Sequence, residues 1–158
     1  MLSKSGWMDV DGDGKKDRVF YRIQRWKDDF EGLLTITNEK QKVLWEHEFF
    51  MGANDLAKFL DEVLGYDSVK VWVSSVFNNK ADYSFRSEKL KIKEEEIDEK
   101  QLEHSAKIHN MSGKKLRAEI LSSRTNRVFT YRAEWREDLM KLVYVPSLQE
   151  FVCFSRGY

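Results

Sequence analysis

Three stretches near the start of the chain constrain its architecture most. Residues 18–26 (RVFYRIQRW), 30–37 (FEGLLTIT) and 42–50 (KVLWEHEFF) are rich in β-branched and aromatic side chains. Such residues suit a pleated, half-buried surface. Only a Lys27-Asp28-Asp29 turn and an Asn38–Gln41 segment separate them, too little chain for a parallel crossover. The expectation is an antiparallel meander.

The period then changes. Leu56, Phe59, Leu60, Val63 and Leu64 fall at i, i+3, i+4, i+7 and i+8, one apolar helical face. Asn54 can cap its start and Gly65 its end, which predicts an amphipathic helix over 54–64. Residues 68–77 alternate through Val69, Val71 and Val73 and read as a strand. Residues 78–93 are polar and patternless. Residues 94–109, with Ile97, Leu102 and Ile108 as a sparse apolar face, read as a peripheral helix. Strands are expected at 114–121, 127–135, 139–145 and 149–155, with Pro146 in the last turn. The fold class expected is α+β, mainly antiparallel β: two meanders, a central strand and two helices in one domain spanning 1–158.

Residues 17–36 and 126–145 align without a gap. Six of the twenty positions are identical: Arg18/Arg127, Val19/Val128, Phe20/Phe129, Trp26/Trp135, Asp29/Asp138 and Leu33/Leu142. This is read either as a duplicated hairpin or as two hairpins with the same local demands. Duplication implies equal turn lengths and equivalent surroundings for Phe20 and Phe129.

The strongest chemical signal is Asp9-Val10-Asp11-Gly12-Asp13-Gly14-Lys15-Lys16-Asp17. Carboxylates stand at positions 1, 3, 5 and 9 of the loop and glycine at position 6. A calcium ion takes six to eight oxygens at about 2.3–2.6 Å. A chain wrapping one ion turns alternate side chains inward, here Asp9, Asp11 and Asp13. Gly14 permits the sharp turn that follows. The Lys15 carbonyl is the next ligand in line, and Asp17 closes the site. Position 12 is Phe20, not the glutamate of an EF-hand, and strand follows rather than helix. Residues 9–19 instead resemble the D-x-[DN]-G-D-G-x-x-D calcium loops of FG-GAP and VCBS-type repeats. The resemblance implies calcium, with Asp9, Asp11, Asp13 and Asp17 as ligands. It does not carry over the propeller of those families, since one loop copy is present. The second meander offers Ser122-Ser123-Arg124-Thr125-Asn126 at the equivalent place, a turn expected to be free of metal.

Other chemistry is weakly signalled. His104 and His109 are five apart, not the i, i+4 spacing that puts two ligands on one helical face, which argues against zinc. Glu46 and Glu48 share one side of a strand, the minimal pattern for a paired-carboxylate hydrolase, but they read as solvated acids. Cys153 lies among Phe151, Val152 and Phe154 and reads as a buried thiol. Trp26, Trp45 and Trp72 have polar neighbours, so one or two exposed rings are expected, able to stack on a glycan or anchor a protein. Nucleotide-loop and nucleophile-elbow motifs are missing.

With 27 basic and 27 acidic residues the formal charge is zero, so no broad basic field exists for nucleic acid. No apolar run reaches transmembrane length. The first residues carry no leader-like apolar stretch. Together these features predict a calcium-binding, non-enzymatic structural or interaction module, extracytoplasmic (periplasmic, secreted or surface-anchored), its leader absent from this chain. A glycan- or protein-binding module using exposed aromatics is the alternative. A hydrolase using Glu46 and Glu48 is the third.

Overall fold

The computed structural model describes residues 1–52, 70, 73, 76, 77, 85–132 and 139–157. Two antiparallel four-stranded sheets lie face to face. The first runs in the order β1 (Leu2–Met8), β2 (Asp17–Trp26), β3 (Asp29–Thr37), β4 (Val43–Gly52). The second runs β5 (Arg86–Leu90), β6 (Asn126–Arg132), β7 (Leu139–Val145), β8 (Glu150–Gly157). Between β5 and β6 the chain makes a 3₁₀ turn (Glu94–Glu96) and helices α1 (Glu99–Ile108) and α2 (Gly113–Ser122). These helices cover the second sheet on the face away from the first. The expectation of a mainly antiparallel α+β protein is met.

The layering follows from strand periodicity. In β2, Val19, Tyr21 and Ile23 are buried while the side chains between them are at least partly exposed, so β2 has one wet face. In β8, Phe151, Val152, Cys153 and Phe154 are all buried, because both faces are covered. Phe151 and Cys153 join Tyr21, Leu34 and Phe49 in the core between the sheets. Val152 and Phe154 join Leu102, Leu116 and Ile120 in a second core under the helices. One strand thus serves two cores.

The sequence places the first meander well. β4 divides much as its alternation implies, with His47 and Phe49 turned inward and Glu46, Glu48 and Phe50 exposed. Leu44 departs from this: it is buried and Val43 exposed, because the register slips between Ile36 and Thr37. The helix expected over 54–64 lies outside the described residues.

Three expectations are corrected. Residues 114–121 are helical, within α2. Leu116 and Ile120, four apart, fit a strand face and a helix face equally. Ala118, which a strand would put on that same face, is exposed. The Ser112 hydroxyl accepts from the Lys115 N–H (3.1 Å) and starts the helix. At its other end Lys91 Nζ bonds the Leu121 and Ser123 carbonyls (both 2.7 Å). In the stretch 68–77 read as strand, Lys70 and Val73 are helical; Val73 and Val76, three apart, are both buried. The helix at 94–109 is interrupted, and α1 is not peripheral: Leu102 and Ala106 are buried while Ile108 is exposed. β1 and β5 are polar edge strands without alternation, which is why neither is legible in the sequence.

The alignment of 17–36 with 126–145 is not a structural equivalence. Val19 pairs with Ile36, whereas Val128 pairs with Val143 rather than Val145. Val19 enters the core between the sheets and Val128 the core under the helices. Phe20 is partly exposed and Phe129 fully buried. The matched residues therefore point to opposite layers: side chains alternate along a strand, and the two sheets turn opposite sets of the matched positions toward each other. The first turn is two residues, Lys27-Asp28, with Lys27 at φ 55°. The second lies outside the described residues.

Asp98 caps α1, its Oδ1 accepting from Lys100 N–H (3.0 Å) and Gln101 N–H (3.3 Å). Asp98→Ala is expected to lower stability by about 1 kcal/mol, measured by urea denaturation, with Asp98→Ser recovering most of it.

Candidate metal centre

β1 leaves the first sheet after Met8, and β2 re-enters it at Asp17, which pairs with Met8. The acidic loop fills the gap. Val10 is fully buried and anchors it in the core between the sheets. The carboxylates fold the loop back on itself. Asp9 Oδ1 accepts from the Gly12 N–H (2.7 Å) and its Oδ2 from the Gly14 N–H (3.0 Å). Asp11 Oδ1 accepts from the Asp13 N–H (3.0 Å), and Asp17 Oδ2 from the Val10 N–H (2.9 Å). Gly12 and Gly14 both sit at φ 85°, a region side chains disfavour. Gly12 is doubly required, since a Cβ there would meet the Arg127 side chain arriving from β6.

The turns bring one carboxylate oxygen each of Asp9, Asp11 and Asp17 within 4.8 Å of one another. Oxygens about 2.3–2.6 Å from a shared ion cannot be much farther apart than that. The three therefore fit one small cation. Asp17 is fully buried, and among the described residues its Oδ1 has no hydrogen-bond partner. A buried carboxylate oxygen left without donors is expensive unless something positive faces it. Burial pushes the Asp17 carboxyl up to about 6; Asp11 and Asp13 add to the rise, and the Val10 and Asp11 N–H groups oppose it. Asp11 is also raised, first by burial, then by the charges of Asp13 and Asp9, against the Asp13 N–H bond.

The Asp13 side chain and the Lys15 N–H and ammonium make other bonds. Asp13 is exposed and lies outside the trio, its Oδ1 accepting from the Lys15 N–H (2.8 Å). The Lys15 ammonium reaches Glu39 in the β3–β4 turn (2.9 Å), tying the loop to its neighbour. Tyr144 of β7, which the motif could not reveal, feels the loop: after burial, the charges of Asp11, Asp13 and Asp17 raise its pKa.

The remaining candidates are dispersed. Glu46 and Glu48 are exposed on the outer face of the first sheet. Cys153 is buried, and burial pushes its thiol up to about 11, the state of an inert core sulfur. Trp7 and Trp26 are exposed and Trp45 half-buried; Trp72 and Trp135 lie outside the described residues. Trp7 sits beside Arg18, eight residues along β2 from Trp26, about 27 Å in a strand. The two rings do not make one stacking platform. Among the described residues no helix is long and apolar enough to cross a membrane.

No protein-family model matches the chain, and no similar sequence among curated proteins and no similar solved structure was found, so the acidic loop is interpreted from its own geometry.

Proposed function

We propose that residues 9–17 bind calcium and that the protein is a non-enzymatic structural or interaction module acting outside the cytoplasm. The observation that carries this reading is the convergence of Asp9, Asp11 and Asp17, one oxygen of each within 4.8 Å of the others, around a buried Asp17 carboxylate whose Oδ1 has no hydrogen-bond donor among the described residues. Three carboxylates make a hard, all-oxygen donor set. The spacing shared with FG-GAP and VCBS-type loops supports calcium over other hard cations. Water, the Lys15 carbonyl and Asp13, after a change of rotamer, complete the shell in this reading. Calcium loops on extracellular modules work at about 10⁻⁴–10⁻³ M, which is why an extracytoplasmic setting fits. The ion staples the β1–β2 connection to the core through Val10 and Asp17.

Calcium at ten times its Kd is expected to stabilise the fold by about 1.4 kcal/mol, read as a rise in melting temperature that EDTA reverses. Magnesium gives a smaller rise, because it dehydrates reluctantly. Asp17→Asn abolishes the calcium response, yet in EDTA the variant is at least as stable as the wild type, having lost a buried charge. Terbium luminescence excited through Trp7 and Tyr144 locates the ion. Identical melting curves with calcium and with EDTA would refute the assignment.

A further inference from the structure

Away from the acidic loop, the edges of the two sheets meet. β4 closes one edge of the first sheet, β8 one edge of the second, and α1 lies beside them. Between them is a cleft of about 760 Å³. That is the size of a small-molecule site. All three histidines of the chain line it, although 62 residues separate His47 from His109. Their atoms do not converge as metal ligands do, and among the described residues only the aspartate trio forms such a group.

The polar groups are individually fixed. Trp45 Nε1–H donates to the Tyr131 hydroxyl (2.9 Å), which also lies 2.9 Å from His47 Nδ1. The ring is thereby fixed in place at the cleft wall. Burial, then the charge of Arg156, lowers its pKa to about 4, so the ring is neutral. His109 lies against two acceptors, the Ser105 carbonyl (2.9 Å) and Glu150 Oε2 (2.8 Å). Two acceptors call for two N–H groups, the imidazolium form, which offsets the Glu150 charge. Burial lowers the His109 pKa, but the Glu150 bond, the Ser105 bond and the Glu150 charge outweigh it, and the net shift is upward. Arg156 lines the same cleft, and its charge acts on both His47 and Cys153. It has interactions of its own within the chain, and a guanidinium with five N–H donors can serve more than one acceptor. The remaining lining is mostly apolar or aromatic, with Leu44, Trp45, Met140 and Phe151 among it; Glu46, which is exposed, Gln101 and His104 are its polar members.

We infer that this cleft binds a small amphiphilic anion, its single carboxylate or phosphate head taken by Arg156 beside His47 and its apolar body lying against Trp45, Met140 and Phe151. With Glu150 paired to His109 and Glu46 exposed, one guanidinium beside apolar walls suits a single anionic group on a hydrocarbon or aromatic body. A metal ion finds no ligand set there, and a cation meets Arg156. The inference does not depend on the calcium loop, which lies on the β1–β2 connection.

The experiment compares four probes of equal chain length: octanoate, octyl phosphate, octan-1-ol and octylammonium. Each is titrated into the calcium-loaded and EDTA-treated protein, followed by calorimetry and by amide and imidazole NMR. The expected result is saturable 1:1 binding of either anion, at least tenfold tighter than the alcohol or the amine. The largest shifts fall on His47, Trp45 Nε1–H and Phe151, and the His47 titration midpoint rises when the anion is bound. Arg156→Gln removes the preference for anions, weakening octanoate about tenfold; Arg156→Lys restores part of it. His47→Gln, a second variant in case the arginine change unfolds the protein, weakens binding severalfold. Equal affinity for anion, alcohol and amine overturns the inference, as do shifts confined to the outer sheet face or the lack of saturable binding by any probe. Binding to phosphatidylglycerol vesicles without binding monomeric octanoate overturns it too, because a membrane surface does not enter a cleft of this shape.

Discussion

Gly32→Val is expected to destabilise the protein by roughly 3 kcal/mol, although valine is among the best strand formers and glycine among the worst. Gly32 lies in β3 between Ile23 of β2 and Phe49 of β4, on the face turned to the second sheet. The Phe49 ring lies across it, so that a Cβ at residue 32 would overlap ring atoms. The ring cannot easily yield. It is buried, stacks on Tyr21 at a centroid distance of 6.0 Å and lies 5.5 Å from His47. Inserting bulk into a close-packed core forces side chains off their rotamers or shifts backbone. The measurement is urea denaturation of Gly32→Val, Phe49→Leu and the double variant. A smaller ring-side residue makes room, so the double variant should lose less than the sum of the singles, a coupling of the kind contacting residues show. A Gly32→Val protein as stable as wild type, or strictly additive losses, would contradict the packing described.

The second large effect is acid destabilisation through His47. Its folded-state pKa of about 4 lies below the ordinary histidine value of 6.5, because burial and the Arg156 charge both disfavour the imidazolium. The unfolded chain therefore binds the proton more tightly. Stability is full above about pH 6.5 and falls as the pH drops toward 4, by roughly 2–3 kcal/mol after allowing for the partial exposure of the ring. His109 acts with opposite sign. Its folded pKa is raised, so its contribution is present at low pH and lost as the pH climbs through that value. The clean observable is the difference between wild type and His47→Gln in unfolding free energy, measured from pH 7.5 to 4.5. Glutamine can still bond Tyr131 but does not titrate, so its curve should stay flatter over this range while His109 and the carboxylates cancel in the difference. Parallel curves would mean that His47 is solvated and that the relay with Trp45 and Tyr131 does not hold it.

Local chemistry was legible wherever it depends on residues close in the chain. The period-two runs at 18–26, 30–37 and 42–50 give β2, β3 and β4, and 139–145 coincides with β7, because a half-buried strand next to a short turn has one workable register. The acidic loop was legible for the same reason: its spacing dictates its own turns, and Gly14 does take the left-handed conformation its position requires. Where two periods fit one segment, as with Leu116 and Ile120, the pattern could not decide. The Ser112 cap and burial against the second sheet made that segment a helix.

What the sequence alone determined is thus the antiparallel β character, the first meander and an acidic turn that folds on itself, all set by residues close in the chain; it named four aspartates, of which the fold converges Asp9, Asp11 and Asp17. The tertiary structure decided which layer each face belongs to. It sent Val128 to the helices and Val19 to the facing sheet despite identical neighbours, and it left Asp17 Oδ1 buried without a donor among the described residues. It also gathered His47, His104 and His109 into one cleft. The physical reason is that these arrangements come from packing β4, β8 and α1 against one another, contacts between residues dozens of positions apart that no local periodicity encodes.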